Sequence, residues 1–222
     1  MARYNLLDEK WIMVADNEGV KNISMKELFK NAHLYKGLAG DMKTQDFAVM
    51  RVMLAVLHTV FSRFNADGKP YEFFEVDREN FLQTTEIEVN QVDNYTESLY
   101  QTWIDMWKAG KFPEIVEKYL EKWRDRFYLY DDKFPFFQVT KEVVRKDTGI
   151  NPDDKKDGGN FFGKNINRLI SESNNKLAYF SPKNSSDKEY LNDDELSRWL
   201  ITLQGYMGTS DKVKIGSVKT YS

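Results

Sequence analysis

The 222 residues are 41% hydrophobic and 30% charged, the balance of a folded chain with enough apolar surface for one large core or two small ones. The absence of cysteine excludes disulfides, thiolate zinc sites and cysteine nucleophiles, and makes a reducing cytoplasm the expected home. A net charge of -3, from 32 basic and 35 acidic residues, supplies no global positive field, so nucleic acid would have to be met by a local patch or with the help of partners.

The opening MARYNLLDEKW lacks the basic start and apolar stretch of a signal peptide. Trp11 to Ala15 and Val20 to Ile23 alternate around Asn17-Glu18-Gly19, the pattern of a hairpin. Ser24 with Glu27 three residues later predicts a capping box and a short helix through Phe29. Thr44 is placed to cap the next helix, over 45–63. Its residues Phe47 through Leu57 are apolar nearly all round, interrupted by Arg51, and predict a central helix buried on every side rather than a membrane span.

Residues 71–94 are ambiguous: YEFFEV reads as a short strand or an aromatic connection, and TTEIEVNQV alternates like a strand. A helix is predicted from about Thr96 to Lys108, with Leu99, Trp103 and Met106 on one face and Gly110 as its stop. Pro113 suits the first turn of another helix over 113–127. DDKFPFFQV reads as an extended aromatic segment, and residues 146–160 as a loop or insertion. A short helix is expected over 162–171, and a last one over 193–207 carrying Leu196, Trp199, Leu200, Leu203 and Tyr206. There is no internal repeat. The fold class expected is α+β, helix-dominated, with small antiparallel sheets.

Little points to catalysis. His33 and His58 have no metal spacing, and His58 reads as a core histidine of the apolar helix. HExxH, GxSxG, Walker A and GxGxxG motifs are absent. The pairs Asp131-Asp132, Asp153-Asp154 and Asp193-Asp194 read as solvated caps; a metal-dependent nuclease would need several convergent oxygen ligands. Neither metal nor cofactor is expected. Trp103, Trp107 and Trp123 sit at helical core spacing and read as packing.

Two segments stand apart. SNNKLAYFSPKNSSDKEYLNDDE, residues 173–195, displays Tyr179 and Phe180 in a polar, turn-rich loop beside Asn174, Asn175 and Lys176. Amides and lysine suit phosphates and base edges, and aromatic rings suit base stacking; anchoring of the loop by the two rings is the alternative. The tail GTSDKVKIGSVKTYS sets Lys212, Lys214 and Lys219 against Asp211 alone, with Gly208 and Gly216 allowing close backbone approach.

NLLDEKWIMV (5–14), LFKNAH (28–33), LAGDMKTQDFAVMRVMLAVLH (38–58), WRDRFYLYDDKFPFFQV (123–139), SESNNKLAYFS (171–181) and LSRWLITLQGYMG (196–208) follow one another in an order that resembles the CasA family. That family provides the large subunit of the type I-E CRISPR surveillance complex, Cascade. The resemblance implies a cytoplasmic, prokaryotic, non-enzymatic subunit working in antiviral defence. Its expected partners are the other Cascade subunits, the guide RNA at its 5′ handle, double-stranded target DNA near the PAM, and the helicase-nuclease that the complex recruits. It implies that residues 1–222 are the N-terminal part of the CasA large domain, without its C-terminal helical bundle. It assigns Asn174, Asn175, Lys176, Tyr179 and Phe180 to an RNA- and partner-binding loop, with either aromatic in the key place. It assigns Gly208, Thr209, Ser210, Lys212, Lys214 and Gly216 to DNA; with Thr209, Ser210 and Asp211 where the family has a glycine run, the lysines take more of the contact. A structural module that docks on protein partners alone is the alternative.

Overall fold

The computed structural model describes residues 3–148 and 191–206, together with the backbone of 214–215 and 218–219. The chain divides into two compact units, Asn5–Phe127 and the pairing of Met1–Tyr4 with Tyr128–Ser222. The class is α+β: helices dominate, and the strands form small sheets.

The larger unit begins with a segment that threads its own core. Leu6, Leu7 and Trp11 are all fully buried. The Leu6 N–H donates to the Phe127 carbonyl at 2.8 Å, and the Trp11 indole N–H donates to the Leu6 carbonyl at 2.8 Å. The chain then makes the expected hairpin. Strand β2 (Ile12–Ala15) pairs antiparallel with β3 (Val20–Ile23), from Ile12 opposite Ile23 to Ala15 opposite Val20. Its turn is set by the Asp16 carboxylate, which accepts from the Glu18 and Gly19 N–H groups. The two-residue β4 (Gly37–Leu38) pairs on the other side of β2. Helix α1 (Met25–Asn31) opens with the predicted capping box: Ser24 Oγ accepts from the Glu27 N–H at 3.2 Å, and the Glu27 carboxylate accepts from the Ser24 N–H at 2.8 Å.

Helix α2 (Lys43–Phe61) starts earlier than expected, and Thr44 does not cap it. Its N-terminus is held from within: Asp46 Oδ1 accepts from the Gly40 N–H at 2.7 Å and Gln45 Oε1 from the Asp41 N–H at 3.0 Å. The expectation of all-round burial fails. Ala48, Val49, Met53, Val56, Leu57 and Val60 face the core, whereas Phe47, Met50 and Leu54 are 48%, 39% and 38% exposed. Three- and four-residue spacing puts those three on one face, which the described residues leave uncovered. His58 is exposed too, its ring 6.0 Å from that of Trp103, so it is no core histidine.

The ambiguous stretch resolves as a small hairpin, β5 (Val76–Asp77) with β6 (Leu82–Gln83). TTEIEVNQV forms no strand; it approaches helix α3 (Val92–Ala109) through a 3-10 turn at Val89–Gln91. Alternation alone could not supply a neighbouring strand. Tyr71, Phe73 and Phe74 pack edge-on against Tyr95 of α3. Gly110 ends α3 with φ +66°, the left-handed stop only glycine adopts cheaply. Trp103 packs as expected, its ring 5.6 Å from that of Phe61, but Trp107 is 88% exposed and is not packing. Helix α4 (Ile115–Lys122) is shorter than expected at both ends, burying Val116 and Leu120.

An ion network ties this unit's outside. Arg124 is bonded to Asp8 and, at 3.2 Å, to Glu121; Lys26 is bonded to Asp8 at 2.8 Å and to Glu121. Burial pushes the Asp8 carboxyl up, but Arg124 and Lys26 outweigh it and hold it below its ordinary value. The Lys26 hydrogen bond lowers Glu121 likewise.

In the second unit, β1 (Arg3–Asn5) pairs with β7 (Tyr128–Tyr130), and the Arg3 guanidinium lies 4.1 Å from the centre of the Tyr130 ring. The aromatic segment after β7 is a set of turns rather than extended; Phe136 is buried and its N–H returns to the Tyr128 carbonyl at 2.8 Å. Helix α5 (Lys141–Thr148) takes the first residues of the loop expected over 146–160. The rest of that loop, and the helix expected over 162–171, lie outside the described residues. Helix α6 (Asp193–Tyr206) and the hairpin of β8 (Lys214–Ile215) with β9 (Val218–Lys219) complete the described elements.

The two faces of α2 and the ion network can each be tested by stability. Leu57→Ala should cost ~2–5 kcal/mol in urea denaturation, as a buried leucine does, while Leu54→Ala on the outward face should cost less than ~1 kcal/mol; equal losses would contradict the two-faced α2. Asp8 and Glu121 have depressed folded values, so their contribution is complete above the unfolded carboxylate range near about pH 4 and is lost as pH falls through the folded values. Stability measured down that range should fall more steeply for the wild type than for Asp8→Asn, which lacks one of the two titrations.

Candidate nucleic-acid interface

The described part of the candidate interface is a helix and a hairpin. Helix α6 begins at Asp193, whose carboxylate accepts the Tyr130 hydroxyl at 2.7 Å and so fastens the helix to β7. Burial first, and then that carboxylate, push the Tyr130 phenol up to about 12. The inner face of α6 carries Trp199 and Leu203, as the sequence pattern predicted, with Leu191 and Leu196 packed against them, whereas Tyr206 of the same pattern is 47% exposed. Arg198, 5% exposed, pairs with Asp194 one turn back at 3.1 Å. The two acids read from sequence as solvated caps are therefore structural fastenings of this helix. Among the described residues no group of three or more His, Asp or Glu side chains could hold a metal ion, and no described helix is long and apolar enough to cross a membrane.

Beyond α6, β8 and β9 run antiparallel with Lys214 directly opposite Lys219 and Ile215 opposite Val218. In sequence, Gly216 and Ser217 stand between the two strands. Lys219 belonged to the basic tail in the sequence but not to the assigned DNA contacts. The register joins it to Lys214, a pairing that no spacing rule for an isolated tail reveals. The other assigned residues, namely Asn174, Asn175, Lys176, Tyr179 and Phe180 in the loop and Gly208, Thr209, Ser210, Lys212 and Gly216 in the tail, lie outside the described residues.

The family model for CRISPR-associated protein Cse1 matches residues 5–220, nearly the whole chain. The chain belongs to the Cse1 family. A curated relative, CRISPR-associated protein CasA/Cse1 of Thermus thermophilus, is 25% identical over 140 residues, covering 63% of this chain and 21% of that protein. The crystal structure of Cse1 from Acidimicrobium ferrooxidans superposes with TM-score 0.59 at 22% identity, over 98% of this chain and 31% of that one. A chain of a CRISPR RNA-guided surveillance complex has the same fold, with TM-score 0.58 at 10% identity over 91% of this chain and 34% of its own. This Cse1-family chain thus spans about a fifth of the curated relative's length and about a third of each solved chain's.

Proposed function

We propose that this chain is part of a non-catalytic subunit of Cascade, an RNA-guided CRISPR surveillance complex acting in the prokaryotic cytoplasm. The observation that carries the reading is the Cse1 family match over residues 5–220; the fold shared with a chain of such a complex supports it. The subunit contacts the other members of the complex and the 5′ handle of the guide RNA through Asn174, Asn175, Lys176, Tyr179 and Phe180. It contacts target DNA beside the PAM through the tail after α6, and takes part in recruiting the helicase-nuclease. In this division of labour the protein reads a short duplex motif while base pairing reads the rest.

The hairpin register gives the DNA part of the reading its physical support. The strand register sets positions 214 and 219 opposite each other, and both are lysines, a residue type that suits the phosphates of a duplex. Lys212, two residues ahead, extends the same charge. Docking on protein partners alone is the second reading.

One paired experiment tests both parts. A complex assembled without this subunit is titrated with wild type, with Lys214→Ala/Lys219→Ala, and with Tyr179→Ala/Phe180→Ala, at several salt concentrations and with a PAM-bearing duplex. Loss of the lysines should flatten the log-log salt dependence by about 0.9 for each phosphate contact removed; an unchanged slope with intact assembly selects protein docking alone. The aromatic variant should keep a wild-type melting curve yet lose ~1–3 kcal/mol per stacked base in association. A lowered melting midpoint with normal association would make the two rings loop anchors instead.

A further inference from the structure

We draw no further inference here: the strongest candidate, the outward face of helix α2, where Phe47, Met50 and Leu54 form an exposed row that continues through His58 to the Trp103 ring, carries no proposal because nothing among the described residues shows what covers it.

Discussion

Burial of Leu6, Leu7 and Trp11 is the constraint on which the larger unit depends, because the backbone beside them becomes the cap of a helix. The first N–H groups of any helix lack intrahelical partners, and at α1 each has a named acceptor. Met25 donates to the Leu6 carbonyl at 3.4 Å and Lys26 to the Leu7 carbonyl at 3.3 Å; Glu27 donates to Ser24 Oγ and Leu28 to the Ser24 carbonyl. The Leu6 carbonyl also takes the Trp11 indole N–H, so one buried oxygen serves two donors that would otherwise be costly to bury. On the outside of the same segment Asp8 draws Lys26 and Arg124 together. The short run from Leu6 to Trp11 thereby fixes the entry of α1, the sheet that follows Trp11 and the turn after α4.

Features set by near neighbours in the chain could be read in advance. The hairpin, its turn and the capping box depend on residues within a few positions of one another, and all three were legible. Glycine at the end of α3 was legible for the same reason: the φ it adopts is a property of one residue. The number of faces of α2 that find a partner is not local. Phe47, Met50 and Leu54 are as apolar as Val49, Met53 and Leu57, so no pattern within the helix separates them. The failed strand over residues 84–92 has the same origin, since alternation offers a face but supplies no neighbour. Trp107 shows the limit at one residue: its spacing from Trp103 fits a core, yet only Trp103 meets Phe61.

At the candidate interface, the acidic start of α6 and its Trp199/Leu203 face were legible because capping and amphipathic spacing are local signals. The opposition of Lys214 and Lys219 was not, because register is a relation between two strands and each strand here is only two residues long. Composition also concealed how charge is distributed. A net charge of -3 is close to balanced, but the stretch from Glu79 to Trp107 is purely acidic in its charged residues, so the remainder of the chain is net positive. A near-neutral sum is compatible with two surfaces of opposite sign, and on such a chain the absence of a global basic field does not count against nucleic acid. The field that matters at a phosphate is the one within about a Debye length, ~8 Å at physiological salt. Over that distance a small basic patch acts on its own, and acids displaced along the chain are screened unless the fold brings them near. The sign of a local patch therefore has to be argued from register and neighbours, which is where Lys219 enters and where an overall charge carries no information.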